Sequence, residues 1–429
     1  MPRRRLNLTR ALHHRNYRLF FGGQSVSLIG TWITRIATSW LVYRLTGSEL
    51  LLGVVGFCGQ IPTLIITPFS GVLVDRWDRR RMLVVTQALS MAQSAILALL
   101  TLTGLITVAE ILVLQALQGV INAFDTPARQ AFLVEMVDDR RDLPNAIALN
   151  SSMVNGSRII GPSIGGLLIA GFGEGWCFAI DAISYIGVIA SLYAMRVQAR
   201  QRPSYEARLR DELHVGFRYV AGSTPIRTAL ILLAIVSTMG MPYTVLMPAV
   251  AADVLHGGAN TLGFLMAATG VGALGGALYL AARQTVLGLG RVIMWATLAF
   301  GVSLMAFSAS RHLWLSMAVL VVVGAGFMIQ LAATNTVLQT LVEERFRGRV
   351  MAFYTMAVLG TAPIGSLIAG MIASRAGAPI TIAVGGFLCV FSGAWFASQL
   401  PTLRRHVRPI YVERGIITVP AVDSGSKTL

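Results

Sequence analysis

Long apolar segments separated by short polar ones run through most of the chain. They lie at about 17–44, 50–74, 82–103, 108–130, 145–171, 176–195, 225–252, 260–282, 291–309, 314–341, 350–373 and 378–400. Each is long enough for a helix that crosses the roughly 30 Å hydrocarbon core of a bilayer, which takes about 20 residues. Segments of alternating polarity, which are typical of a membrane β-barrel, are absent from the sequence. The pattern predicts an all-α membrane protein with twelve transmembrane helices.

Composition narrows the class further. Of the 429 residues, 55% are hydrophobic and only 13% are charged, whereas about 25% of the residues in a soluble protein are charged. This deficit of charge excludes an ordinary soluble enzyme. It also excludes a disordered chain, which combines low hydropathy with high charge.

The basic residues predict the orientation of the helices in the membrane. If the N-terminus is cytoplasmic, 30 of the 35 Lys and Arg residues fall in inner segments, and only Arg44, Arg311 and Arg375 fall in outer loops. Basic residues concentrate on the cytoplasmic side of membrane proteins. We therefore expect a multi-pass protein of the plasma (inner) membrane with both termini in the cytoplasm. Because topology accounts for the net charge of +16, and no basic stripe contains interleaved aromatic residues, no nucleic-acid partner is expected.

Four regions follow from the pattern. Residues 1–195 are predicted to form a six-helix bundle, 196–224 a cytoplasmic linker, 225–400 a second six-helix bundle, and 401–429 a disordered cytoplasmic tail. Within the linker, apolar residues recur at helical spacing, which predicts an amphipathic helix. Such a helix lies either on the membrane surface or across the inner ends of the bundle. Those apolar residues are Leu209, Leu213, Phe217 and Val220.

The two bundles also repeat one another in sequence. Leu133-Val134-Glu135 opens a basic loop before a helix that contains Gly161-Pro162, and Leu341-Val342-Glu343 opens another before Pro363-x-Gly365. Two parallel six-helix repeats joined by a linker are a known transporter architecture, in which the substrate path lies between the halves.

The segment after the second apolar stretch reads Gly71-Val-Leu-Val-Asp75-Arg76-Trp-Asp78-Arg79-Arg80-Arg81. It resembles the G-x-x-x-D-R-x-G-R-R signature of the major facilitator superfamily, with Asp78 in place of the second glycine. The resemblance implies a cytoplasmic latch that holds an outward-facing state, in which Asp75 caps the inner end of helix 11. A carboxylate suits a helix N-terminus, where unpaired N–H groups favour an anion. By this resemblance the latch residues are Gly71, Asp75, Arg76, Arg79 and Arg80.

A second motif, Gly161-Pro162-Ser-Ile-Gly165-Gly166, resembles the end of the exporter motif that bends helix 5 in the same superfamily. Further phrases are similar to the branch that contains the enterobactin exporter and macrolide efflux proteins. They include Asn16-Tyr-Arg-Leu-Phe, Asp125-Thr-Pro-Ala-Arg-Gln and Arg347-Gly-Arg-Val. The resemblance implies export of a siderophore, drug or related metabolite, coupled to inward proton flow.

Ionisable residues inside predicted spans are functional candidates by default. Two hypotheses stay open for Arg35, Arg158 and Asp181, whose estimated depths place them in one layer. In the first hypothesis, Asp181 and one arginine form a structural ion pair, and the guanidinium of the other arginine faces a cavity. Alternatively, Asp181 accepts a proton while an arginine binds an anionic or phenolic substrate. We expect Asp125, near the inner end of helix 4, to be a latch partner of Arg79 or Arg80. Uncharged polar residues could line the cavity, although hydrogen bonds between helices explain them equally well. They are Gln60, Gln118, Asn122, Gln330 and Asn335.

Other classes of function have less support. The sequence has no G-x-x-x-x-G-K-[ST] phosphate-binding loop, and its six histidines form no metal or nucleophile constellation. We therefore expect no enzyme activity, no catalytic residue, no cofactor and no metal. We expect the protein to be a monomer. Its expected partners are a small-molecule substrate, protons and the lipid bilayer. The alternative is a lipid flippase or a transporter-like receptor without proton coupling.

Overall fold

Thirteen helices account for nearly all of the structure. The computed structural model describes residues 10–137, 139–196, 209–283, 285–414 and 416–417, without the side chains of residues 68, 71–73, 75, 76, 140 and 209–214. The described part of the chain contains no β-strand. The helices are α1 Arg15–Thr46, α2 Glu49–Arg76, α3 Arg79–Leu102, α4 Val108–Leu133, α5 Leu143–Phe172, α6 Glu174–Ala194, α7 Leu209–Gly222, α8 Thr224–Val254, α9 Ala259–Ala281, α10 Leu289–Ala309, α11 Leu313–Leu341, α12 Glu344–Ala376 and α13 Ala378–Glu413.

Ten of these helices are long and apolar enough to cross a membrane. The remaining two long helices, α1 and α5, have 32 and 30 residues. The polar side chains Gln24, Ser27 and Thr34 of α1 are buried within the protein, which lowers the apolarity of that helix without exposing polar groups to lipid. The all-α membrane fold is thus confirmed. That α1 and α5 also span the bilayer stays a prediction, which their packing against the other helices supports.

The two six-helix halves pack alike. In the first half, α2 packs on α4, α3 on α4, and α3 on α6. In the second half, the corresponding helices make the same pairs: α9 on α11, α10 on α11, and α10 on α13. Between the halves, α5 packs on α9 and α2 on α12. This correspondence matches the repeat in the sequence.

The same glycine turn also connects the last two helices of each half. Gly173 joins α5 to α6 with φ of 86°, and Gly377 joins α12 to α13 with φ of 83°. Residues with a side chain rarely adopt this backbone conformation. A single glycine therefore suffices to reverse the chain at both places.

The bundle has two ends. We call the end that holds the beginning of α1, the end of α13 and the connections at 77–78, 134–142, 282–288 and 342–343 the arginine-rich face. The other end, with connections at 47–48, 103–107, 173, 255–258, 310–312 and 377, is the opposite face. Toward the opposite face one apolar core includes buried residues of both halves, such as Leu52 and Leu246. Toward the arginine-rich face the core divides into separate clusters, one around Phe132 and one around Leu338. The halves are therefore joined at one end of the bundle and apart at the other.

The linker contains a helix, α7, that packs against the second half. Tyr219 stacks on Phe346, with 4.1 Å between the ring centroids, and Phe217 lies 6.4 Å from Phe353. Of the two placements that the sequence left open, the structure has the one across the end of the bundle.

The prediction of a disordered tail from residue 401 is wrong as far as Glu413, because α13 continues to that residue through Pro401 and Pro409. Leu403 and Tyr411 are buried against the bundle, and this packing holds the extension in place. Residues 418–429 of the predicted tail lie outside the described residues.

Candidate functional site

A central cavity of about 1490 Å³ lies between the two halves. Residues of α1–α6, α8, α9 and α12 line it, together with Phe217 of α7. The predicted lining residues Gln60, Gln118 and Asn122 face the cavity. The same prediction is wrong for Gln330 and Asn335, which do not line it. Their helix, α11, packs against α9 and α10, and Gln330 is fully buried there.

The cavity is open at one end only. Its lining residues Val55 and Leu262, toward the opposite face, are 8% and 1% exposed. Val154 and Met356, nearer the arginine-rich face, are 39% and 48% exposed. The cavity is therefore closed toward the opposite face and open toward the arginine-rich face.

Backbone contacts between the halves close the opposite face. A Cβ atom added to Gly166 of α5 would lie 2.8 Å from the Cα atom of Gly263 in α9. A Cβ atom added to Gly53 of α2 would lie 2.9 Å from the Cα atom of Gly370 in α12. Small residues allow two membrane helices to approach this closely. Both pairs of helices thus meet at glycines near the opposite face.

Two arginines from different helices share one aromatic ring in the cavity. The guanidinium carbon of Arg35 lies 4.9 Å from the centroid of the Trp32 ring, and that of Arg158 lies 5.7 Å from it. All three residues line the cavity. Within the described part of the chain, neither guanidinium has a hydrogen-bond partner or a carboxylate oxygen within 4.0 Å. The site therefore presents two unpaired cations held over an indole.

The glycine motif of α5 produces this arrangement. A Cβ atom on Gly161 would lie 2.4 Å from the Cβ atom of Trp32, so α5 touches α1 directly below the indole. One turn on, Gly165 packs against the backbone of Ile33. The carbonyl oxygen of Pro162 would lie 2.8 Å from a Cβ atom on Gly263, so the same turn of α5 also touches α9. The motif thus places α5 between α1 and α9 and brings Arg158 to Trp32.

Asp181 faces the same cavity. Its partner differs from the arginine that one of the two sequence hypotheses proposed. It is 1% exposed, and its Oδ2 atom accepts a hydrogen bond of 2.7 Å from the hydroxyl of Ser94 in α3. Its Oδ1 atom has no hydrogen-bond partner among the described residues. That oxygen would lie 2.7 Å from a Cβ atom on Gly30. Neither Arg35 nor Arg158 lies within 4.0 Å of the carboxylate, so the hypothesis of a structural ion pair is wrong for this structure.

The predicted role of Asp125 as a latch partner of Arg79 or Arg80 is also wrong here. Asp125 is 4% exposed and forms an ion pair of 2.8 Å with Arg129, one turn along α4. It also accepts hydrogen bonds from Thr86 and Gln87 of α3. This local network satisfies the carboxylate inside the first half.

The arginines of the latch motif bind elsewhere in the first half. Arg79 pairs with Glu135 at 2.9 Å, and Arg80 donates a hydrogen bond to the carbonyl oxygen of Tyr193. The side chains of the other predicted latch residues lie outside the described residues, so their roles stay predictions. These are Gly71, Asp75 and Arg76.

The sequence reasoning missed several residues of the site. Trp32 precedes Arg35 by three residues, a spacing that places the two side chains on one helix face. The contact between them could therefore have been predicted from the sequence. The contact between Ser94 and Asp181 could not be predicted from the sequence, because it depends on how α3 and α6 pack. The hydrogen bond between Tyr43 and Asp253 at the opposite face also joins helices that are distant in the chain.

Known proteins resemble the chain over almost its whole length. The model of the family described as transmembrane secretion effector matches residues 9–409. The staphyloferrin A transporter of Staphylococcus aureus (strain NCTC 8325 / PS 47) is 26% identical over 385 residues, which cover 89% of this chain and 96% of that protein. The multidrug efflux pump Tap of Mycolicibacterium fortuitum is 28% identical over 357 residues, which cover 81% of this chain and 87% of the pump.

A solved structure has the same fold. It is a bacterial homologue of the human lysosomal transporter Spinster in an inward-facing, unoccupied conformation. Its sequence is 14% identical, its TM-score is 0.66, and the match covers 95% of this chain and 99% of that one.

Proposed function

The chain belongs to the transmembrane secretion effector family of major facilitator transporters, and from this premise we propose that it is a secondary active exporter of a small molecule. Membership makes it a membrane transporter and not an enzyme, as the sequence predicted. We also propose that it moves the substrate outward across the plasma membrane by proton antiport and that it acts as a monomer. Relatives that are named as efflux proteins support the direction.

The central cavity is the observation that carries the proposal. It lies between two repeated halves, is closed toward the opposite face and is open toward the arginine-rich face. The positive-inside bias makes the arginine-rich face cytoplasmic. A substrate from the cytoplasm then enters the open end, and rocking of the two halves exposes the same site to the outside. In this cycle α5 separates from α9, and α2 from α12, at the glycine contacts.

Asp181 is the proposed proton site. Burial in a low-dielectric interior favours the neutral form of a carboxyl, whereas hydrogen bonds to its oxygens favour the charged form. Asp181 is buried, accepts a hydrogen bond from Ser94 and lines the cavity. A change in hydration as the halves move therefore changes its proton occupancy. Proton entry from outside when the cavity faces outward, and release inward, couples the two fluxes.

The experiment uses inside-out membrane vesicles with an acidic lumen. Fluorescent probes of both charges, carboxyfluorescein and ethidium, are offered outside the vesicles. We expect wild-type vesicles to accumulate at least one probe above its external concentration and to lose it when the pH gradient is collapsed. Asp181→Asn is expected to abolish this uphill accumulation yet keep downhill exchange, because the site remains but cannot change its charge.

The matched control for this variant is Asp139→Asn, the same substitution in an exposed residue of the connection between α4 and α5. It should retain gradient-driven accumulation, since Asp139 lies outside the cavity lining. Accumulation by Asp181→Asn at the wild-type level would place the proton site elsewhere. Movement of a fluorescent phospholipid between leaflets, with no accumulation of either probe, would instead favour the lipid flippase.

A further inference from the structure

We propose that Arg35, Arg158 and Trp32 form a binding site for a soluble organic anion that carries a carboxylate on or beside a planar group. This inference rests on the proposed function only in treating the central cavity as the path of the substrate. It adds the chemical class of the substrate, which neither the family nor its relatives supply for this chain.

The two guanidiniums are the first reason. A guanidinium keeps its charge in proteins and presents several N–H donors that match a carboxylate in paired hydrogen bonds. The carbons of both guanidiniums lie near one ring centroid, so they are no more than about 11 Å apart. Two cations held this close repel each other. An anion that binds between them removes the repulsion.

The other arginines that pack inside the protein show what a structural arginine does in this chain. Arg79 pairs with Glu135 at 2.9 Å, and Arg129 pairs with Asp125 at 2.8 Å. By contrast, Arg35 and Arg158 have no such partner within the described residues. Both side chains line the cavity, where a ligand would supply acceptors for their donors.

The rest of the cavity lining favours the same sign of ligand. Its charged residues are Arg35, Arg129, Arg158 and Asp181. The charge of Arg129 is balanced by Asp125, and the single carboxylate of Asp181 does not offset both Arg35 and Arg158. The open part of the cavity is therefore positive, and it disfavours an organic cation.

Trp32 accounts for the planar group. Cation–π contact with the guanidiniums holds the indole in place, and its ring also lines the cavity. An aromatic or other planar part of the ligand can lie against the indole while its carboxylate meets an arginine. Uncharged polar side chains of α2 and α4, including Gln60, Gln118 and Asn122, line part of the remaining volume, and apolar side chains such as Met266 and Met356 line much of the rest. This lining suits a soluble ligand that combines a charged end with an apolar planar part.

The test measures binding to the purified full-length protein, so it does not depend on transport. Fluorescence anisotropy reports the Kd of carboxyfluorescein, a planar carboxylate, and of ethidium, a planar cation. The wild type should bind carboxyfluorescein more tightly than ethidium. Arg35→Gln and Arg158→Gln should each raise its Kd about 10- to 100-fold, the effect of losing a charge-assisted hydrogen bond.

Conservative and matched variants separate binding from folding. Arg158→Lys keeps the charge but not the paired donors, so its Kd should fall between those of the wild type and Arg158→Gln. Arg311→Gln makes the same change in net charge at an exposed loop and should leave the Kd unchanged. Equal Kd values for the wild type and both glutamine variants would overturn the proposal, as would tighter binding of ethidium.

Three further outcomes distinguish related explanations. If dihexanoylphosphatidylglycerol displaces the probe and unlabelled phthalate does not, the site binds a lipid headgroup and the assignment of a soluble anion falls. If carboxyfluorescein binds in an arginine-dependent way but vesicles never accumulate it, the site stands and the exporter function fails. If vesicles export ethidium alone, the exporter function stands and this inference fails.

Discussion

Tyr43 of α1 donates a hydrogen bond to the carboxylate of Asp253 at the end of α8, and this bond joins the two halves at the opposite face. Tyr43 is 7% exposed and belongs to the apolar core that includes residues of both halves. Because the two residues belong to different halves, we expect the bond to break when that face opens. It therefore contributes to the balance between the two states that the proposed transport cycle requires.

Tyr43→Phe should shift this balance toward the state that is open at the opposite face. Loss of one hydrogen bond costs about 1 kcal/mol, which is roughly a fivefold change in the ratio of states. In a background with Cys58, Cys177 and Cys389 replaced, a cysteine at Val55 should then react about fivefold faster with a membrane-impermeant maleimide from the opposite face. Tyr279→Phe, an exposed tyrosine of α9, is the control. Equal labelling of the two variants would contradict this role of Tyr43.

Gly166→Val should prevent the closed arrangement of α5 and α9. A Cβ atom at this position would lie 2.7 Å from the carbonyl oxygen of Ala259 and 2.8 Å from the Cα atom of Gly263, so the helices must separate. We expect faster labelling at Val55 and at least tenfold slower efflux, about 1.4 kcal/mol of lost stabilisation of the closed state. Gly171→Val in the same helix meets open space and should transport normally. Normal efflux by both variants would show that the glycine contact is dispensable.

Asp125→Ala should lower the stability of the protein more than it alters the transport cycle. The change leaves Arg129 without its partner and removes the acceptor for Thr86 and Gln87. Breaking a buried pair costs about 3 kcal/mol, which should lower the Tm in detergent by several degrees. Replacing Arg129 by Leu in the same chain should restore part of the loss. An unchanged Tm with a lost outward-facing state would instead restore the latch role that was predicted for Asp125 from its position near the inner end of helix 4.

Much of the fold could be predicted because membrane helices must be long and apolar. The repeat also survives as motif phrases in the two halves. The side of α11 that faces the cavity could not be predicted, since a helix that is apolar all round has little periodicity. For Gln330 and Asn335 the sequence therefore could not decide between the cavity and a contact between helices. The extension of α13 was missed because Pro401 and Pro409 resembled helix breakers, while the burial of Leu403 and Tyr411 outweighs them.

The sequence indicated residues of the candidate site but not their hydrogen-bond and ion-pair partners. Arg35, Arg158 and Asp181 do face one cavity, because ionisable groups in membrane helices avoid lipid. Their partners depend on the register between helices, which one sequence does not contain. The exception is Asp125, whose partner Arg129 is four residues on and was within reach of the helix spacing rule.

The proposed transport cycle requires that one cavity opens alternately to the two faces. Electron–electron distance measurements on two spin-labelled cysteine pairs test it most directly. One pair, Leu50 of α2 with Ser374 of α12, lies at the opposite face, and the other, Ser151 of α5 with Ala281 of α9, lies toward the arginine-rich face. As the pH is lowered or carboxyfluorescein is added, we expect the first distance to lengthen while the second shortens. Distances that stay fixed, or that lengthen together, would contradict alternating access in this protein.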